Sequence, residues 1–319
     1  MTKPRAAIDR LLVACWTSAG DVRPIGATDR SPLPIERRLA AAAAAGFTGF
    51  GLNHADLVAV RDAIGYPALR TMLDAAGIAE LQVELVDYWW AAGPRRVASD
   101  AVRADLLDAA RCLPVGSIKI ASGNEGGDAD PAVMAPELCV LAEEAAQAGT
   151  IVVLEPCAFA ALSDLEAAVS LVRRADHPAA GILLDVWHLL RAGFPLARLR
   201  DTVPPGLLRG VELDDAMAVQ VGTGLEDTFD RRILCGQGEA DTVGFIRELR
   251  SLGWDGPGAS STCPSATGAC RWRRPYGRLR TPPGPASCSR SPTPRQRQHG
   301  GLRTSSLAYG RSTSPSSRR

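Results

Sequence analysis

Along the first four-fifths of this 319-residue chain, short apolar runs alternate with longer stretches whose apolar positions recur at helical spacing. Leu11 to Trp16 predicts a first strand. After Pro34 comes an alanine-rich helix that includes Leu39 to Ala45 and stops at Gly46. Phe47 to Asn53 predicts the second strand, followed by helical sequence to Ala76 and a stop at Gly77. The same order recurs for Leu81 to Val86 with Ala98 to Cys112, and for Ser117 to Ala121 with Pro131 to Ala148. Ile151 to Leu154 is followed by a helix that Asp164 caps and that runs through Arg174. Gly181 to Leu184 and Leu207 to Leu213 supply a sixth and a seventh strand, and Val243 to Leu252 a last helix. Strands joined through helices pair in parallel, so the pattern predicts an α/β fold, a (β/α)8 barrel around one core.

An eighth strand is expected after Gly253-Trp254-Asp255-Gly256-Pro257, because closure must cover the edges of the first and seventh strands. Gly258-Ala259-Ser260-Ser261-Thr262-Cys263-Pro264 matches strand preferences poorly. The sequence therefore predicts a barrel over residues 1–257 that lacks its eighth βα unit, with a disordered tail over 258–319.

Charge separates the same two parts. After Asp255 there is no acidic residue, and the last 64 residues hold 12 Arg and no Lys among Ser, Pro and Gly. The whole chain has 36 basic and 35 acidic residues, so removing those 12 arginines leaves a body of 24 against 35. Such a tail buries too little to offset chain entropy. The eight cysteines are dispersed without a CxxC pair, which predicts free thiols rather than a disulfide framework or a cysteine zinc site. No apolar run reaches the roughly 18 residues of a membrane span, and Met1-Thr2-Lys3-Pro4-Arg5 has no apolar leader behind it. A cytoplasmic protein is expected.

In a βα barrel, polar residues at the C-terminal ends of the strands meet at one mouth. Glu155 ends the fifth strand, Asp185 and His188 follow the sixth, and Glu212, Asp214 and Asp215 end the seventh. Acids converging there repel one another unless a cation neutralises them, which points to a divalent metal; a rim of solvated acids is the alternative. His54 and Glu84 are expected at the same mouth, although His54 equally suits a helix-capping or loop role. Lys119, inside the fourth strand, could bind an anionic or carbonyl oxygen or pair with a neighbouring acid. His177 is expected on the opposite side.

The segments LEP ending at Pro156, LDVWH (184–188), VELDDA (211–216), RRILCGQGEAD (231–241) and GFIRELRSLGWDGP (244–257) carry a resemblance. They resemble the sugar phosphate isomerase/epimerase group of xylose isomerase-like TIM barrels over most of residues 8–257. The resemblance implies a divalent ion held by Glu155 and Asp185, with Glu212 where the family commonly has His and a fourth ligand, a Glu, on strand eight. An oxygen ligand at 212 favours Mg²⁺ or Mn²⁺, with Co²⁺ and Zn²⁺ also possible. It implies metal-assisted proton transfer through an enediolate on a sugar or sugar phosphate, with Glu155 as one proton carrier and His188 as a substrate contact. His54, Glu84 and Lys119 complete the expected substrate-binding set. Two alternatives are an inosose dehydratase-like lyase and an endonuclease-like barrel whose basic tail binds nucleic acid. Against the latter, the body has only His54, His177 and His188 for a site that uses many histidines.

The family continues past GWDGP with a strand bearing the fourth-ligand Glu. Permitted codons for Gly258 to Ala269, read two bases later, spell Gly-Val-Glu-Tyr-Leu-Ser-Glu-Arg-His-Arg-Gly, which is such a strand. The use of 34 Arg against 2 Lys fits a GC-rich gene whose shifted frames yield Arg, Pro, Ser and Gly. The sequence thus predicts a frameshift near codon 257, and with it weak folding and impaired activity.

Overall fold

Unbroken apolar strands need both faces covered, and the chain covers them by placing each strand in a closed ring with helices outside. The computed structural model describes residues 10–123 and 130–262; the expected disorder and origin of the tail beyond Thr262 lie outside the described residues. In chain order the elements are β1 (Leu11–Val13), α1 (Cys15–Ser18), α2 (Ile35–Ala45), β2 (Gly49–Asn53), α3 (His54–Ala76), β3 (Glu80–Val86), α4 (Pro94–Cys112), β4 (Val115–Ile120) and α5 (Pro131–Gln147). They continue as β5 (Val152–Leu154), α6 (Leu165–Ala175), β6 (Ala180–Asp185), α7 (Val186–Arg191), α8 (Leu199–Thr202), β7 (Leu208–Leu213), α9 (Gly224–Asp230), α10 (Thr242–Ser251) and β8 (Gly258–Ser260). The strands close into a barrel in sequence order, every neighbouring pair parallel.

The core lies between this ring and the helices, where Phe50, Leu52, Leu69, Leu106, Val172 and Phe245 are buried. The stop predicted at Gly46 is a left-handed cap: at φ 88 its N–H reaches Ala42 O and Ala43 O, a conformation that costs a residue with a Cβ. The first strand is shorter than expected. It ends at Val13, and Cys15 to Ser18 form a helical turn instead of extending it.

The expectation of a missing eighth strand is overturned. Gly258–Ser260 forms β8 between β7 and β1, in register with Leu11 to Val13 on one side and with Glu212 and Leu213 on the other. Main-chain groups do this: Gly258 N–H donates to Arg10 O, Ala14 N–H to Ser260 O and Ser261 N–H to Leu213 O. Side-chain propensity is overruled because the two facing edges would otherwise leave buried backbone groups unpaired. Thr17 adds a latch, its hydroxyl donating to Ser260 O at 2.7 Å and accepting from Thr262 N–H at 2.9 Å. The barrel therefore extends past residue 257 to at least Thr262. No helix among the described residues is long and apolar enough to cross a membrane.

Candidate metal and substrate site

Strand ends fix the carboxylates at the mouth. Glu155 makes the last ladder bond of its strand, N–H to Ile120 O at 3.0 Å, and Pro156 then ends the strand because it has no N–H. Asp185 closes β6 and caps α7, its Oδ1 accepting from Trp187 N–H at 2.7 Å. Glu212 sits directly across the ladder from Asp185. Glu155, Asp185 and Glu212 are all buried, and one carboxylate oxygen from each lies within 4.8 Å of the other two.

Two internal cations face them. Lys119, buried within β4, holds its ammonium 2.6 Å from Glu212 Oε1, 2.8 Å from Glu84 Oε2 and 3.5 Å from Glu155 Oε2. Burial opposes its charge, but Glu155, Glu212 and Glu84 outweigh burial and raise its pKa well above the ordinary lysine value. Arg232 holds Asp185 Oδ2 at 2.6 Å and also pairs with Asp214. Five acids thus share two cations, and burial, reinforced by neighbouring carboxylates, pushes Glu155 up to about 8 and raises Asp214 as well.

Arg232 arrives from a long excursion after β7 that is folded by its own polar contacts. Asp215, which the sequence groups with the mouth acids, instead organises this loop by accepting from Gly236 N–H and Ala240 N–H, and its backbone pairs with Ile233. Gly238 permits that turn, since a Cβ there would lie 2.4 Å from Asp215 Oδ1 and 2.5 Å from Ala216 O. Arg191 braces the other limb, bonding Asp227 at 2.7 Å and the carbonyls of Met217 and Ala218. Trp187 lies between the guanidinium groups of Arg191 and Arg232, 5.2 and 5.1 Å from its ring centroid.

His188 is buried, and its pKa is lowered well below the ordinary value by burial and by the charges of Arg232 and Lys119, so the ring is neutral. Ala158 N–H donates to Nδ1 at 3.1 Å, a closer contact than Arg232 Nη2 makes with Nε2 at 3.4 Å, and a neutral ring can accept at one nitrogen only, which assigns the ring proton to Nε2. Nε2 faces Glu155 at 3.8 Å and Asp185 at 3.9 Å, with Arg232 Nη2 at 3.4 Å. That tautomer presents an N–H donor rather than a metal-ligating lone pair. Glu155, Cys157 and His188 also converge closely enough to hold an ion, but a protonated Nε2 and a Cys157 thiol pushed up by burial make that set the poorer one.

Glu84, Lys119, Glu155, His188, Glu212 and Arg232 line a 390 Å³ cavity that also has an apolar wall of Trp16, Ile25, Phe159 and Phe229. His54 reaches the cavity, yet its Nε2 is taken by Asp105 at 2.7 Å, and Asp105 is anchored in turn by Arg61. Glu84 is buried at the end of β3 and accepts from the Cys15 thiol at 2.8 Å. His177 pairs with Glu143 near the surface, remote from the mouth. The structure therefore brings Glu84, Lys119, Glu155, Asp185, His188 and Glu212 together and leaves His54 at the margin. Sequence reasoning placed Asp214 among the mouth acids without a role, and missed Arg232 and Ser261; the signal available was charge, because a buried acidic cluster with one lysine requires another cation.

Comparison with known proteins agrees with this architecture. A family model described as xylose isomerase-like TIM barrel matches residues 39–280. A 3-dehydroshikimate dehydratase of Pseudomonas putida is 31% identical over 129 residues, which is 40% of this chain and 20% of that enzyme; the match spans a fifth of the curated relative's length. Among solved structures, a xylose isomerase-like TIM barrel/4-hydroxyphenylpyruvate dioxygenase fusion protein superposes with TM-score 0.72 at 24% identity, covering 84% of this chain and 41% of that one. The IolI protein, solved with a zinc atom, gives 0.67 at 13% identity over 79% of this chain and 88% of its own. D-psicose 3-epimerase of Clostridium cellulolyticum, solved with D-tagatose, gives 0.58 at 17% identity over 72% and 79%.

Proposed function

Because the chain belongs to the xylose isomerase-like TIM barrel family, we propose that its mouth binds a divalent cation and moves a proton on the carbon beside a carbonyl, as a sugar isomerase or epimerase does. One observation carries this reading: the convergence of buried Glu155, Asp185 and Glu212. The donor set suits the ion, being three carboxylates on three strands beside Asp214, whose buried Oδ1 has no hydrogen-bond partner. Glu155, Asp185 and Glu212 would hold it, and all-oxygen ligation favours Mg²⁺ or Mn²⁺ over Co²⁺ and Zn²⁺. When bound, such a cation stabilises the negative charge that develops on the substrate's carbonyl oxygen.

The chain's own groups supply the rest. Glu155, once ionised, takes the proton as the C–H bond breaks, and the electron pair moves onto the carbonyl oxygen. Returning the proton to the former carbonyl carbon, while the adjacent hydroxyl's proton passes to the former carbonyl oxygen, gives the isomer; returning it to the opposite face of the original carbon gives the epimer. His188 donates from Nε2 to a substrate oxygen, while Trp16, Phe159 and Phe229 cover the C–H face of a ring and exclude water. Lys119 and Arg232 are already paired with acids, which favours an uncharged polyol over a phosphate ester.

A second reading is dehydration, favoured by the match to 3-dehydroshikimate dehydratase. It needs one proton carrier only: Glu155 removes the proton and passes it to the hydroxyl on the adjacent carbon, which leaves as water. Incubating the full chain in D₂O with Mn²⁺ and, in turn, ketoses, inososes and 3-dehydroshikimate distinguishes the two. Deuterium beside the carbonyl, lost in Glu155→Gln, supports the shared step. A new sugar then marks the isomerase or epimerase, and 3,4-dihydroxybenzoate the dehydratase. Neither exchange nor product from any substrate refutes both.

A further inference from the structure

Lys119 contacts two kinds of partner. Glu155 and Glu212 belong to the trio whose oxygens converge, whereas Glu84 does not. The ammonium therefore lies on two of the three carboxylates a cation would use, and its third contact lies outside them. All four side chains are at most 8% exposed, so bulk water does little to screen these charges. Arg232 secures Asp185 but touches neither glutamate, so it cannot replace the lysine there.

Resting on the metal reading above, we infer that Lys119 is an internal counter-ion that a divalent cation displaces from Glu155 and Glu212 onto Glu84, so that the Lys119–Glu84 pair sets metal affinity. While no cation is bound, the lysine compensates the charge of Glu212, and that of Glu155 when it is ionised. Glu84 then gives the displaced ammonium a buried partner, without which it would stay on the ligands or face an uncompensated charge. No bond is made or broken; one cation exchanges for another, and Lys119 acts as a positioning residue.

Calorimetric titration of the full chain with Mn²⁺ tests this without recourse to turnover. Lys119→Met is expected to bind Mn²⁺ at least tenfold more tightly than wild type and to melt at lower temperature in EDTA. Glu84→Gln, which keeps shape and is the variant to rely on if Lys119→Met does not fold, is expected to bind at least tenfold more weakly. In the double variant the Glu84 effect should vanish, because it acts through the lysine; a Glu84 effect undiminished in the Lys119→Met background would mean simple charge loss and overturn the inference. If wild type and all variants bind equally, the metal site stands and this exchange is wrong. If none binds Mn²⁺, the metal site itself is refuted and the exchange falls with it.

Discussion

Arg232 Nη1 lies 2.6 Å from Asp185 Oδ2 and pairs with Asp214 through the same nitrogen, so one guanidinium from a loop ties the ends of β6 and β7 together. Arg232 is 7% exposed at its side chain and both aspartates are fully buried. Removing the cation as Arg232→Met leaves two buried acids to repel each other. A loss of about 3–5 kcal/mol is expected by urea denaturation in EDTA, as for other broken buried pairs. Added Mn²⁺ should recover part of it, since a cation at the neighbouring carboxylates replaces some of the missing charge.

Glu155 gives the cation-free protein a pH dependence of defined sign. Its pKa is raised by burial from the ordinary 4.5 to about 8. Between those values the unfolded chain has released the proton and the folded chain still holds it. The contribution is therefore fully present below 4.5 and is lost as pH rises through 8. Denaturation in EDTA should show stability falling from pH 5 to pH 8, and Glu155→Gln, which cannot ionise, should flatten that decline.

The loop that carries Arg232 depends on the Arg191–Asp227 pair, whose side chains are 4% and 1% exposed. Asp227 also accepts from Val221 N–H, so the pair anchors both ends of the segment between them. Arg191→Met is expected to cost about 3 kcal/mol and to open residues 216–222 to protease and to hydrogen exchange ahead of the rest of the barrel. Uniform loss of protection across all strands would contradict a local brace.

The seven strands, Glu155, Asp185 and Glu212 were legible because each lies in or beside an apolar run, and apolar periodicity fixes where a strand ends. Lys119 stood out as a charge inside such a run, but its partners come from three other strands and no linear pattern connects them. Arg232 was invisible for a related reason: it reaches the mouth only after the chain from Asp214 to Ile233 has folded back through the Asp215 turn and the Arg191 brace. The eighth strand was misread because Gly, Ala and Ser carry little strand preference, while the deciding force, two open edges, belongs to the ring as a whole.

The register of β8 sharpens the frame argument into a substitution. If the gene is frameshifted near codon 257 as the sequence predicts, one base added there would insert one residue and put the glutamate of Gly-Val-Glu at position 261. Ser261 faces the cavity, its Oγ 3.3 Å from Arg232 Nη1, whereas Ser260 pairs in register with Leu213 and Val13, both packed in the core. Ser261→Glu is expected to tighten Mn²⁺ binding at least tenfold by calorimetry. Ser260→Glu should instead destabilise the protein by about 3 kcal/mol or more as a buried unpaired charge. The opposite ranking would show that β8 sits one residue out of register.

The latch between Thr17 and β8 separates two demands that enzymes usually meet with one strand. A barrel is sealed by amides and carbonyls, which every residue but proline provides in full, whereas coordination chemistry depends on which side chain stands at one inward position. Closure is blind to spelling and ligation is not. β8 closes this ring with Gly, Ala and Ser, so the barrel tolerates change in that strand's side chains, whereas a ligand there would have to stand at position 261, which faces the cavity.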